Sequence, residues 1–91
     1  PIAAKGYLFS DRSHAAVLAS FAKSFETLES LRCDILLTPH PEVSDFWGRV
    51  ARRDQGDADA LVDATACGRL AGAARRQLES RIDAERSGRV R

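Results

Sequence analysis

The sequence has no methionine, two cysteines, three prolines, one tryptophan and one tyrosine among its 91 residues. Two cysteines without a C-x-x-C pair exclude a structural zinc finger. They leave one possible disulfide, worth roughly 3–4 kcal/mol in the chain-entropy model. From composition alone, two free and buried thiols are an equal alternative. No run approaches the roughly 20 apolar residues needed to cross a bilayer. The opening Pro1-Ile2-Ala3-Ala4-Lys5 has neither the apolar core nor the initiating methionine of a signal peptide. A start at proline leads us to expect a processed, cleaved or truncated product. Charge of one sign is also missing. Fourteen Lys and Arg against thirteen Asp and Glu argue against a nucleic-acid footprint and against general attraction to anionic membranes. GxSxG, a Walker A loop, GxGxxG and HExxH are all absent, as are internal repeats and low-complexity segments.

What remains is one small domain's length of patterned sequence. A domain of this size buries only about 60–65% of its unfolded surface, so its own stability is marginal. The first ten residues, with Gly6-Tyr7-Leu8-Phe9, read as a short extended piece. They end at the polar cluster Ser10-Asp11-Arg12-Ser13, where Asp11 or Ser13 is a candidate N-cap. From His14 to Leu31 the apolar residues Val17, Leu18, Phe21, Phe25, Leu28 and Leu31 recur every third or fourth position. That spacing predicts an amphipathic helix with Lys23, Ser24, Glu26 and Ser30 off its apolar stripe. Cys33–Thr38 is a short apolar run before Pro39, the pattern of a buried parallel strand. Helix followed by strand predicts half of an α/β layer, its partner strands missing from this chain. Residues 44–53 predict a short helix capped by Ser44 or Asp45, with Phe46, Trp47 and Val50 facing inward. A turn at Asp54-Gln55-Gly56-Asp57 and a small apolar anchor at Ala60-Leu61-Val62 follow. Asp63 is the expected cap of a last helix reaching Arg86. Its buried side holds Cys67, Leu70, Ala71, Ala74, Leu78 and Ile82; Arg75/Glu79 and Arg81/Glu85 are expected as exposed i,i+4 pairs. Residues 87–91 are expected to fray.

His40 is the residue with chemical potential. It follows directly on the predicted strand, where α/β sheets place functional side chains. Prolines on both sides stiffen the backbone that presents the imidazole, so a metal ligand held this way loses little freedom on binding. An incidental histidine in a rigid strand exit is the plainer alternative. One histidine is not a zinc site, which takes three or four protein ligands. His14, in the first turn of a helix, reads as solvent-facing. Asp34 falls at the far end of the predicted strand, and Glu42 and Asp45 read as solvated loop carboxylates. Cys67 reads as buried or disulfide-bonded rather than nucleophilic, and Tyr7 and Trp47 as core or rim packing. The chain therefore holds at most a fraction of a metal site, with no catalytic residue beyond that one metal ligand.

The run Ser24-Phe25-Glu26-Thr27-Leu28-Glu29-Ser30-Leu31-Arg32-Cys33-Asp34-Ile35-Leu36-Leu37-Thr38-Pro39-His40-Pro41 resembles class B, subclass 3 metallo-β-lactamases. In that family an amphipathic helix leads into a C-D-[apolar]-L-L-T-x-H-P strand and loop. The His-Pro dipeptide, the cysteine seven residues before it and a second cysteine near the start of the final helix coincide here. Asp59-Ala60-Leu61-Val62-Asp63 and the terminal Ala/Arg-rich helix match as well, and Gly6-Tyr7-Leu8-Phe9 more weakly. The resemblance implies an α/β fold, residues 1–91 being one C-terminal segment of a four-layer αββα domain with two long helices, one or two strands and a short helix. It implies a Cys33–Cys67 disulfide, two zinc ions per complete enzyme, and His40 as the last ligand of the second zinc.

The family's remaining ligands, in an H-x-H-x-D-H motif and a further histidine, are not in this chain; nor are the serines that contact the substrate carboxylate. The implied activity is zinc-dependent hydrolysis of β-lactam antibiotics without a covalent enzyme intermediate. The zinc ions would acidify the attacking water and stabilise charge on the ring nitrogen. The isolated chain is expected to be inactive, with the N-terminal part of the same enzyme as its partner, no nucleic acid and no membrane insertion. A periplasmic location is implied, the signal peptide lying outside this chain. Alternatives are another hydrolase of the same fold or a non-enzymatic helical interaction module.

Overall fold

The three-and-four spacing between Val17 and Leu28 folds as a helix in the computed structural model, which describes residues 4–89. Helix α1 spans Ala15–Ser30 and is entered through a 3-10 turn, Arg12–His14. The Asp11 carboxylate caps that turn, accepting from the Ser13 amide at 2.9 Å and the Ser13 hydroxyl at 2.8 Å. A short helix, α2, covers Phe46–Asp54, and the long helix α3 covers Ala66–Arg86. At its end Gly88 takes φ +76°, and the Arg89 amide reaches back to the Ala84 carbonyl at 2.9 Å. A left-handed residue just past the last turn lets the following amides satisfy orphan helix carbonyls. Of the tail expected to fray, Ser87–Arg89 form this closure, while residues 90–91 lie outside the described residues.

The core is the seam between α1 and α3. Phe25 from α1 and Ala71 and Leu78 from α3 are buried there with Phe9, and Tyr7, Val17, Leu18, Phe21, Leu28, Ala74 and Ile82 pack around them. Ala71 is 0% exposed; a methyl at the crossing lets the two backbones approach without a larger side chain between them. Phe9 and Phe21 meet edge-on with ring centroids 5.8 Å apart, the arrangement aromatic quadrupoles favour. Phe9 arrives by turns rather than as the extended piece expected: the Tyr7 amide bonds the Ala4 carbonyl at 3.1 Å, and Gly6 sits at φ +84°. The part of that expected piece in residues 1–3 lies outside the described residues.

Cys33–Thr38 forms no strand, and no strand exists among the described residues. A strand is a pairing between two segments, and this chain offers only one run of that kind. Its backbone is satisfied otherwise: the Asp34 carbonyl accepts from the Asp63 amide at 2.8 Å, and the Leu36 carbonyl from the Arg49 side chain at 3.0 Å. Ile35 and Leu37 are consequently half-exposed or more, Leu37 at 65%.

Several inward-facing expectations are overturned with it. Leu31 and Val62 are exposed, and Trp47 is 67% exposed, its ring centroid 4.9 Å from that of Phe46 in a T-shaped arrangement. The described chain is elongated. Its radius of gyration is 16.2 Å, against roughly 12 Å for a compact domain of this length. Its accessible surface of 6634 Å² exceeds the roughly 5,200 Å² of a compact monomer of equal mass. Among the described residues, no helix is long and apolar enough to cross a membrane.

Candidate metal-ligand loop

His40 stands between two prolines in a loop that runs from the extended segment into a 3-10 turn, Pro41–Ser44. Its backbone is extended, φ −98° and ψ +104°, as the following proline demands. Its carbonyl accepts from the Thr38 hydroxyl at 2.7 Å and from the Val43 amide at 3.0 Å. The Ser44 hydroxyl closes on the Thr38 oxygen at 3.0 Å. The backbone on either side of the imidazole is thus bound down while the ring is free: its side chain is 82% exposed, with Glu42 Oε1 3.8 Å from Nδ1. A neutral imidazole nitrogen on a stiff mount is a fitting donor for zinc. Among the described residues, however, no group of three His, Cys, Asp or Glu side chains converges. Asp34 is an exposed carboxylate 3.7 Å from the Arg32 guanidinium, and Asp45 pairs with Arg52 at 3.5 Å. Neither joins His40.

The short helix that follows carries the residue that anchors this loop. Asp45 adopts the left-handed conformation, φ +50°, which Asp tolerates better than most side chains. Neither Ser44 nor Asp45 provides the expected side-chain cap. Arg49, three residues after Phe46, lies on the helix's inner face and is 6% exposed. Its Nη1 donates to the Leu36 carbonyl at 3.0 Å and to the Ser44 carbonyl at 3.3 Å. Its Nε donates to the Ala60 carbonyl at 3.4 Å, and its Nη2 to the Leu61 carbonyl. The expected apolar anchor at 60–62 thus works mainly through its carbonyls. Nothing in the sequence singled out Arg49 except that it shares a helix face with Phe46. Beyond this, a groove of about 580 Å³ between α2, the 57–63 loop and α3 is lined by charged side chains including Arg52, Asp59 and Arg69, and does not include His40.

Cys33 and Cys67 are joined in a disulfide, Cα atoms 5.9 Å apart, and both are buried. It ties the extended segment to the first turn of α3. Nearby, Asp63 stands three residues before the helix rather than at its cap. Its carboxylate accepts from the Thr65 hydroxyl at 2.7 Å and the Thr65 amide at 2.9 Å, and those two bonds hold it below the usual carboxylate range. His14 is not solvent-facing: it is partly buried, stacked on Tyr7 at 4.2 Å and bonded through Nδ1 to the Leu8 carbonyl. That is a packing role.

The expected exposed pairs on α3 also change place. Arg75 crosses to Glu29 of α1 at 2.8 Å and lies over the Phe25 ring. Arg81 meets Glu85 at 3.0 Å, but Glu85 is buried and also accepts from the Ser10 amide at 2.8 Å. Burial pushes the Glu85 carboxyl up; the Ser10 amide and the Arg81 guanidinium outweigh it and hold the group below its ordinary value.

No family model matches the chain. Among solved structures, the metallo-β-lactamase SMB-1 in complex with mercaptoacetic acid superposes with a TM-score of 0.84 at 43% identity, over 91% of this chain and 32% of its own. The Rm3 metallo-β-lactamase does so with a TM-score of 0.82 at 42% identity, over 94% of this chain and 34% of its own. MEM-A1, a subclass B3 metallo-β-lactamase from a soil metagenome library, gives a TM-score of 0.82 at 34% identity. The chain resembles a part of a subclass B3 metallo-β-lactamase. It spans about a third of the length of the metallo-β-lactamases it matches, so it is part of a larger protein.

Proposed function

We propose that the protein containing this chain is a zinc-dependent β-lactamase and that residues 1–91 are the C-terminal segment of its four-layer αββα domain, completing the fold and supplying His40 as the last ligand of the second zinc. The observation that carries this reading is the 43% identity with SMB-1 at a TM-score of 0.84, combined with a fixed backbone that leaves one imidazole free in the Thr38-Pro39-His40-Pro41 loop. Mercaptoacetic acid and 2-mercaptoethanesulfonate are bound to SMB-1. Thiolate sulfur is a good zinc donor, so the same small thiols are the natural probes of this protein's site.

His40 fits zinc by its chemistry. It is exposed and mounted so that binding costs little conformational entropy. Zinc, when bound, supplies Lewis acidity toward the lactam. The work of this chain is to hold one nitrogen donor at a fixed point, with the Thr38, Val43 and Ser44 hydrogen bonds preventing the loop from following the ring. The isolated chain lacks the other donors and is inactive. The Cys33–Cys67 bond supports export to an oxidising compartment, the periplasm, where such bonds persist.

The test is His40→Ala in the complete protein. Zinc content should fall from two equivalents toward one, and hydrolysis of a chromogenic cephalosporin should fall steeply. Unchanged zinc content and turnover would remove the reading.

A further inference from the structure

We propose that Arg49 is the positioning residue of the His40 loop: its buried guanidinium grips the carbonyls of Leu36 and Ser44, four residues to either side of His40, and sets where the imidazole stands. The proposal rests on the reading of His40 as a zinc ligand. A guanidinium offers five N–H donors in a rigid fork and accepts nothing. At Arg49 those donors meet four carbonyls from three stretches of chain: Leu36 before the loop, Ser44 after it, and Ala60 and Leu61 on the path to α3. Among the described residues no carboxylate pairs with Arg49, although it is 6% exposed. A buried cation with no carboxylate bonded to it persists where oriented dipoles replace its lost water, so the four carbonyls and the arginine depend on one another. Its neighbours Arg52 and Arg53 on the same helix are exposed, which separates Arg49 from the ordinary solvated face.

Prolines alone do not position the ring. Pro39 and Pro41 restrict local backbone angles, but the place of the loop relative to the remaining chain is decided at its ends. Arg49 holds both ends and joins them to the 60–61 stretch, which leads into the disulfide-anchored start of α3. Lysine cannot replace it. A single ammonium nitrogen presents three donors from one point and does not span carbonyls gathered around a planar fork.

The experiment is a stepwise zinc titration of the metal-free complete protein against a chromophoric chelator, for the wild type, Arg49→Lys, Arg52→Lys and His40→Ala. Arg49→Lys should weaken the second zinc by about 10–100-fold, the usual effect of removing a group that orients a ligand, and leave the first at its original affinity. Arg52→Lys should change neither. Undiminished second-zinc affinity in Arg49→Lys overturns the proposal. Equal loss of both zincs overturns it too, because Arg49 would then act on the fold as a whole. If His40→Ala keeps the second zinc, the ligand reading itself fails, and that result is seen whatever Arg49→Lys does.

Discussion

Replacing Cys33 and Cys67 together by alanine reopens a loop 34 residues long that contains the His40 loop and all of α2. Helix α2 packs on the Pro41–Ser44 turn rather than on the α1–α3 pair. Apart from the disulfide, the segment is tied to the approach to α3 chiefly by the Asp63 amide on the Asp34 carbonyl and by the bonds of Arg49. Closing a loop of that length restricts the unfolded chain by about 3–4 kcal/mol in the chain-entropy model. The two sulfurs are buried, and losing their contacts adds about 1 kcal/mol, so the loop effect dominates. Urea unfolding of the complete protein, oxidised wild type against the double variant, should show the midpoint falling by about 1.3–2.5 M at a slope of about 2–3 kcal/mol/M. Zinc should be removed beforehand, since a bound metal adds its own stabilisation. A midpoint shift below about 0.3 M would refute the reasoning: it would mean that hydrogen bonds and packing already restrain this stretch and that the disulfide closes nothing that was open.

The buried Glu85 gives a pH signature. Its carboxyl is held below the ordinary glutamate value, so its contribution is fully present above that value and is lost as pH falls through the depressed folded one. Glu85→Gln should cost about 1–3 kcal/mol at neutral pH and flatten the acid limb of stability against pH in denaturant titrations; an acid limb of unchanged steepness would count against the assignment. At the helix crossing, Ala71→Leu should destabilise by about 1–3 kcal/mol through overpacking, read as a lower thermal midpoint; an unchanged or higher midpoint would show slack in the α1–α3 seam that the structure does not contain.

Helices α1 and α3 were legible within about a residue or two because amphipathic periodicity is a local property: every third or fourth position of 17–28 and 67–82 carries it without reference to the rest of the chain. The run Cys33–Thr38 has an equally strong local pattern and was misread. A strand needs a second segment at hydrogen-bonding distance, and no local rule supplies one. The same reason explains Leu31 and Trp47, apolar by type and exposed by circumstance. Glu85 and Arg49 fail in the opposite sense. Both are charged residues in polar stretches of a helix, and both are buried because distant backbone groups, the Ser10 amide in one case and four carbonyls in the other, arrive to receive them.

The sequence by itself determined the two long helices, the stiff Pro-His-Pro mount and the likeness to a subclass B3 metallo-β-lactamase, all of which are written in contiguous residues or short spacings. The resemblance already implied that Cys33 joins Cys67, as the structure shows; only the tertiary structure decided that the apolar run stays unpaired and that Arg49 gathers the ends of the His40 loop. Each of these depends on groups far apart in the chain meeting in space, where the energy of a hydrogen bond depends on geometry that residue identity does not encode.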